Sequence, residues 1–396
     1  MALRPVAEVQ AELLAGASLC GDECCDLNAA FGRILREDIV AATDVPPAAN
    51  SAMDGYALRV ADLAEGRALP ISQRIAAGHA PDALLPGTAA RIFTGAVIPP
   101  GADCVVAQED CRQSDESVEV AITPATGQHI RPRGQDIARG AVVVARGRKL
   151  GAADLGLLAS VGVPACRVAK RLKVALMSTG DELREPGEAL GTAQIYNSNR
   201  PMLAALISAM GGELIDLGII PDTAEATAEA LVQAAELADV VISSGGVSVG
   251  EEDHVKAQIE RLGELKVWKL AIKPGKPLAY GRIAGVPFFG LPGNPVSSFV
   301  TFCLLVRPYL LAMQGVSDPM PDVVQAKVDF EWPKPGSRQE YLRVRLKGGV
   351  LSLHPQQSSG ALSSVAWANA LAIVPPGTTF ERGEVIDCLS FAELGA

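Results

Sequence analysis

The residues best suited by type and spacing to do chemistry fall in three short stretches. The first, 239–253 (DVVISSGGVSVGEED), is an apolar run that stops at hydroxyls and glycines and ends in three carboxylates. Asp239, Val240, Val241 and Ile242 read as a short buried strand, and 243–250 then offer backbone that no bulky side chain keeps away from a ligand. A strand feeding a glycine-rich turn and then a helix leaves unpaired N–H groups at the helix start, which attract a phosphate. Steric punctuation produces the same letters, so this turn alone supports either reading. The second stretch, 269–277 (KLAIKPGKP), sets three lysines among prolines that stiffen the backbone. The third, 291–298 (LPGNPVSS), is another rigid turn at a strand end. Three such loops in one region imply one site.

Acids join them. The strand read at 172–177 opens into Ser178, Thr179, Gly180, Asp181 and Glu182, and Asp222 follows Pro221 at another strand end. Glu182, Asp222 and Asp253 are therefore expected at one edge of a sheet, where ligands of open α/β sheets collect. Mg2+ takes a few carboxylates, retained waters and ligand phosphates, so these three are a candidate metal set. Each alone reads more simply as a helix-capping acid. Asp54 lies in 44–57 (DVPPAANSAMDGYA), expected as a fixed irregular loop in which the acid doubles as a turn-former. Thr94 and Asp136 stand beside glycine at strand ends in IFTGAVIPPGAD and RPRGQD, which is also ordinary turn chemistry. Arg343 and Arg345 share one face of a strand and read as solvated, and 358–364 (SSGALSS) reads as a flexible connection.

The elements that must position these residues form several units, since 396 residues exceed one compact core. Strands and helices alternate over 172–316, with helices near 201–210 and 224–237, a pattern that predicts a mostly parallel sheet. Short strands at 90–94, 104–108 and 118–122 predict a small β-rich unit over 45–139. Val6, Val9 and Leu13 at helical spacing after Pro5, a second helix over 27–39 with Gly32 as a close-packing point, and helical patterning over 151–168 predict a scaffold from 1–44 and 140–171. Strands at 323–332, 341–346, 350–353 and 385–391 predict a C-terminal β-barrel over 317–396. The net charge of −10 disfavours nucleic acid or an anionic membrane as partner. Cys20, Cys24 and Cys25 are close together, but no second pair or neighbouring histidine completes a zinc set. The N-terminus lacks a secretory pattern and 299–306 is too short a segment to span a bilayer, which points to the cytoplasm.

Taken in order, NSAMDGYA from Asn50, FTGAVIPPGAD from Phe93, RPRGQDI from Arg131, STGDEL from Ser178, SSGGVSVGEED from Ser243, KPGKP from Lys273, LPGNPVS from Leu291 and YLRVRL from Tyr341 resemble the MoeA family of molybdopterin molybdenumtransferases, related to plant enzymes and to gephyrin in animals. The resemblance spans essentially the whole chain. It implies an elongated multidomain chain of class α/β plus β: a central mostly parallel α/β molybdopterin-binding domain, an inserted β-rich domain, a helical N-terminal scaffold and a C-terminal β-barrel. The implied reaction inserts molybdate into the dithiolene of adenylylated molybdopterin with Mg2+-dependent release of AMP. By the same resemblance Glu182, Asp222 and Asp253 hold Mg2+, and Gly245, Gly246 and Ser248 cradle phosphates or pterin, with Glu251 and Glu252 solvated. Lys273 and Lys276 receive molybdate, closed in by Arg343 and a serine of the Ser363, Ser364 pair. Lys269 and the loop residues Pro292, Gly293, Asn294, Pro295 and Ser297 contact substrate. Asp54, Thr94 and Asp136 match positions tied to activity, and a homodimer with shared sites is implied. Contacts with the molybdopterin adenylyltransferase and with client apo-molybdoenzymes are further expectations. Ala370 and Ser358 depart from the family's usual glycines in the C-terminal loops. An adenylyltransferase, which would resemble the central segment alone, a non-catalytic scaffold, and a tungstate-dedicated or client-specific paralogue are the alternatives.

Overall fold

Two strands in the middle of the chain carry the pattern from which the fold is built. In Lys173–Thr179 and Val240–Ser244 every residue except the leading lysine is buried. Successive side chains of a strand point to opposite faces. Accordingly Val174, Leu176, Val240 and Ile242 join one core, while Ala175, Met177 and Val241 join another. A strand covered on both faces reads as an unbroken apolar run.

In the computed structural model, which describes residues 3–63, 68–246 and 254–396, these strands lie side by side in a seven-stranded sheet. Its order is Leu3–Arg4, Gly263–Leu270, Pro277–Ile283, Val286–Leu291, Val240–Ser244, Lys173–Thr179, Glu213–Ile220. Only Pro277–Ile283 runs against its neighbours; the other pairings are parallel, as the alternating pattern predicts. Helix Asn199–Ala209 places Leu203, Leu206 and Ile207 in the first core, and helix Ala224–Leu237 places Ala230, Leu231 and Ala234 in the second. The Thr223 hydroxyl caps the latter by accepting the Ala226 N–H at 3.2 Å.

The helical run Pro295–Gln314, with a mean hydropathy of 1.7, is long and apolar enough to cross a bilayer by length and composition, which corrects the expectation of a segment too short to do so. It is 83% buried, and Phe299, Phe302 and Tyr309 pack in the first core.

The N-terminal part differs from its helical expectation. Helix Val6–Ala15 forms, but its buried Val6, Val9 and Leu13 pack into the core of the central sheet. The second helix over 27–39 does not form. Strand Asp22–Asp26, the 3-10 turn Leu27–Ala29 and strand Ile39–Val40 stand there instead. Gly32 is the physical reason: its φ is +74°, and an added side chain would meet nothing within 4 Å, so it is a turn residue rather than a close-packing point. Leaving that turn, the Leu35 N–H reaches the Arg148 carbonyl at 2.9 Å. The helical pattern of 151–168 likewise splits into helix Ala152–Ser160 and strand Ala165–Ala169, the latter paired with Asp22–Asp26.

The β-rich unit is a six-stranded sheet in the order Cys104–Ala107, Gly55–Leu58, Ala89–Ile92, Leu69–Ile75, Ser117–Val120, Cys111–Gln113. The expectation of irregular backbone over 44–57 is corrected in part, because Asn50–Ser51 pairs with Ile130–Arg131 and Gly55–Leu58 is a fully buried interior strand. Gly55 sits where a Cβ would lie 1.9 Å from the Val106 carbonyl oxygen, so only glycine lets the neighbouring strand approach.

At the C-terminus, Gln339–Lys347, Val350–Leu353, Val324–Val328, Val385–Ser390 and Ala370–Val374 pair in that order, and the last pairs back to the first, closing a small barrel. Ile272–Lys273 adds to Gln339–Lys347 in parallel, which joins the lysine loop to the barrel. All eight cysteines are free, and burial pushes the thiols of Cys104 and Cys303 up to about 12.

Replacing Gly55 with Ala is expected to destabilise the β-rich unit by about 3 kcal/mol through that backbone clash. Native-state hydrogen exchange should show Gly55–Leu58 amides losing protection while those of Val240–Ser244 keep it. Unchanged protection at Gly55–Leu58 would contradict the clash.

Candidate functional site

A sheet covered on both faces leaves its strand ends as the place for a ligand. Thr179, Ile220, Ser244 and Leu291 end their strands at one edge, as the registers Thr179 with Ile220, Ser178 with Ser244 and Ser244 with Leu291 require. Because Pro277–Ile283 runs the opposite way, its start lies at the same edge. Around this edge is a cavity of about 860 Å3. Of the residues expected from sequence, Glu182, Asp222, Gly245, Gly246, Lys273, Lys276, Pro292, Gly293, Asn294, Pro295 and Ser297 all line it. Ser248, Glu251, Glu252 and Asp253 lie outside the described residues.

The glycines of the first loop answer a steric demand. Gly245 and Gly246 have φ of +94° and +67°. A Cβ on Gly245 would sit 2.8 Å from the Thr179 carbonyl oxygen, and one on Gly246 would sit 2.4 Å from Val255 Cγ2. Packing alone therefore requires glycine there, and the same turn forms part of the cavity wall. Gly180 behaves similarly: its φ is +143°, and a Cβ would come within 2.6 Å of the Glu182 carboxylate that folds across it.

The second and third loops are tied down by hydrogen bonds. Asn199, buried at the start of its helix, donates to the Ser244 hydroxyl at 2.9 Å and to the Gly293 carbonyl at 2.8 Å, fixing two loops to each other. The Val296 N–H donates to the Ser359 carbonyl at 3.0 Å, so the first turn of the Pro295–Thr301 helix is held to the barrel. In KPGKP, Gly275 has φ +104° and a Cβ there would meet Thr301 Oγ1 at 2.6 Å. Lys273 and Lys276 are both exposed. Lys273 Nζ lies 3.0 Å from the buried Glu340 carboxylate, whereas Lys276 has no ion pair among the described residues. Two buried atoms of cavity-lining residues, Asn197 Nδ2 and Asn199 Oδ1, have no hydrogen-bond partner among the described residues.

Other expected residues stand elsewhere. Arg343 is not solvated but almost completely buried. Its guanidinium donates to Ser364 Oγ at 3.2 Å, Tyr341 O at 3.1 Å and Ser358 O at 3.3 Å, and burial pushes its pKa down to about 10. Arg343 and Ser364 thus lie behind the cavity wall and hold it. Arg345 does lie at the surface, stacked 4.7 Å over Trp367. Lys269 is at the same sheet edge, in register with Pro277, but does not line the cavity. Asp54 and Thr94 meet each other in the β-rich unit: Asp54 Oδ1 accepts the Thr94 N–H at 2.7 Å and its hydroxyl at 2.8 Å. Those bonds, the backbone one first, hold the Asp54 carboxyl below its usual value. Asp136 is exposed, with its N–H on the Val45 carbonyl at 3.0 Å. None of these three reaches the cavity.

Sequence reasoning missed Asn199, Tyr196, Arg338, Gln357 and Ser359 as cavity residues. The signal for Asn199 is its place in SNR directly ahead of an apolar helix. For Gln357 to Ser359 it is that the supposed flexible connection is pinned: Gln357 Nε2 donates to Arg343 O at 3.0 Å and Ser358 O accepts from Arg343.

Comparison with known proteins agrees along the whole chain. Residues 4–162 match the MoeA N-terminal region (domain I and II), 175–312 a probable molybdopterin binding domain, and 325–391 the MoeA C-terminal region (domain IV). A molybdopterin molybdenumtransferase of Haemophilus influenzae is 43% identical over 330 residues, covering 83% of this chain and 78% of that protein. Molybdopterin molybdenumtransferase 2 of Mycobacterium tuberculosis is 36% identical, covering 94% and 96%. The crystal structure of a molybdopterin biosynthesis MoeA protein from Pyrococcus horikoshii OT3 superposes with a TM-score of 0.86 at 30% identity, covering 98% of this chain and 100% of that one. On the strength of those matches and of a fold shared from end to end, the chain belongs to the MoeA family.

Proposed function

We propose that this protein is the molybdenum insertase of molybdenum cofactor biosynthesis, placing molybdate into the dithiolene of adenylylated molybdopterin and releasing AMP. The names of its relatives support the transferase class. The observation that carries the reading is the shared cavity: Lys273 and Lys276, the Gly245 and Gly246 turn, and the acids Glu182 and Asp222 all line it. Molybdate is a tetrahedral dianion. Two exposed ammonium groups on a proline-stiffened loop attract it as point charges, and the Glu340 carboxylate at 3.0 Å orients one of them. The glycine turn accepts the substrate's phosphates where side chains cannot intrude. Arg343 and Ser364 contribute by fixing the wall at Ser358.

Mg2+ fits the acids at this edge. Glu182 and Asp222 make no side-chain hydrogen bond among the described residues, and Glu182 lies over a glycine where a Cβ would displace it. These two acids, with Asp253 expected from the sequence as a third although it lies outside the described residues, suit an ion that takes few carboxylates and completes its shell with water and phosphate. When bound, such an ion neutralises pyrophosphate charge.

Asp54, Thr94 and Asp136 stand away from the cavity of their own chain. In a homodimer with shared sites, the β-rich unit of a second copy brings them to it. The chain divides as 1–44 with 140–171, 45–139, 172–316 and 317–396, except that strand Leu3–Arg4 and helix Val6–Ala15 pack with the central sheet, and it works in the cytoplasm, between the adenylyltransferase that supplies its substrate and the apo-molybdoenzymes that take its product.

Purified protein given adenylylated molybdopterin, Mg2+ and molybdate should release AMP and yield cofactor that activates an apo-molybdoenzyme; the same mixture with a chelator should not. Absence of AMP release sinks the reading, and tungstate run in parallel reports the oxyanion preference. Lys276→Ala should raise the molybdate concentration for half-maximal AMP release about tenfold, the scale of one hydrogen bond to a charged group, with an unaltered melting temperature. Asp253→Ala should abolish turnover and leave the dimer folded, and normal turnover would reduce Asp253 to a helix cap.

A further inference from the structure

Prolines aside, the large apolar side chains that line the cavity come from one place in the chain. Leu183–Arg184 and Ile195–Tyr196 pair in parallel as a short two-stranded ribbon. Leu183, Ile195 and Tyr196 all line the cavity. Ile195 is 56% and Tyr196 43% exposed, so both offer apolar surface beside the charged loops. The ring is also held in place, since the Tyr196 hydroxyl donates to the Glu188 carbonyl at 2.8 Å and the Ile195 N–H to the Glu182 carbonyl at 2.8 Å. An exposed aromatic side chain whose tip is tied to backbone presents a fixed flat face at little further entropic cost.

The topology gives that face an address. Along the sheet edge the lysine loop stands at the start of Pro277–Ile283, then come Val286–Leu291, Val240–Ser244 with its glycine turn, and Lys173–Thr179, whose end leads through Glu182 into the ribbon. Strands are about 4.8 Å apart, so the lysine end and the ribbon end are separated by three spacings, about 14 Å. A ligand that uses all of these groups is elongated. It carries an oxyanion-accepting group at one end, phosphates in the middle and a flat ring at the other end.

We propose that Tyr196, flanked by Ile195, is a stacking platform for the purine base of the nucleotide half of the substrate. The assignment rests on the reading that molybdate enters at the lysines. The dithiolene must then lie at that end, and the pterin, which is fused to the dithiolene-bearing ring, lies with it. Beyond the phosphates only the base remains to meet the ribbon. The platform makes the site selective for a nucleotide-activated substrate over one lacking the base.

The test is equilibrium binding of AMP, ribose 5-phosphate and a free pterin to the full-length protein and to Tyr196→Ala and Tyr196→Phe. Base-on-aromatic stacking is worth enough that Tyr196→Ala should weaken AMP about tenfold, leave ribose 5-phosphate and pterin unchanged, and be rescued to within about threefold by Tyr196→Phe. No AMP binding by the wild type, equal AMP binding by wild type and Tyr196→Ala, a parallel loss of ribose 5-phosphate, or a loss of pterin in place of AMP would each overturn the platform. The outcome is separable from the reaction itself. A wild type that releases AMP in turnover but binds it independently of Tyr196 removes only the platform, whereas one that binds AMP through Tyr196 yet inserts no molybdenum removes only the reaction.

Discussion

Burial of the central sheet on both faces is the constraint on which the rest depends. Val174 and Leu176 face one core while Ala175 and Met177 face the other, so neither surface of the Lys173–Thr179 strand is open to a ligand. Chemistry is thereby confined to the strand ends, where side chains leave the ladder and loops begin. Three of the loops at that edge carry glycines at positive φ beside a close neighbour: Gly180 by Glu182, Gly245 by Thr179, Gly246 by Val255 and Gly275 by Thr301, whereas Gly293 faces open space. The same packing that makes these turns necessary clears backbone for a ligand, so the steric and the functional readings of the glycines are one fact seen from two sides.

Electrostatics at the edge is local and runs against the whole molecule. The chain carries a net charge of −10, yet two lysines are concentrated on one loop. Their placement is borrowed from the barrel: Ile272–Lys273 pairs with Gln339–Lys347, and Glu340 on that strand binds Lys273. A few residues along, Arg343 is fully desolvated and spends its donors on Ser364, Tyr341 and Ser358. Removing a partner from such a buried cation costs far more than losing a surface pair, so the barrel acts on the cavity through rigid support. The α/β sheet supplies the strand ends and the barrel closes the wall.

The legibility of this arrangement followed the type of signal. Continuous apolar strands, the helix spacing of Val6, Val9 and Leu13, and the glycine- and proline-marked loops, the first of them described only to Gly246, are local patterns, and the corresponding described elements stand as expected. What misled were patterns whose meaning depends on distant partners. Gly32 reads as a packing glycine until its positive φ shows that it breaks the helix. Arg343 shares a strand face with Arg345, but 357–359 covers one and solvent reaches the other. The SSGALSS stretch has the composition of a free linker and is held by Arg343 and Val296. Asp54, Thr94 and Asp136 were legible as special turn residues, and their distance from the cavity is a property of the three-dimensional arrangement alone.

The proposed insertion of molybdate requires the lysine loop at the strand ends to bind the metal oxyanion. Anomalous diffraction at the molybdenum edge, on crystals soaked in molybdate, tests it most directly. A peak is expected within hydrogen-bonding reach of both Lys273 Nζ and Lys276 Nζ, lost in Lys276→Ala crystals. A peak confined to another basic surface, persisting in that variant, would contradict it.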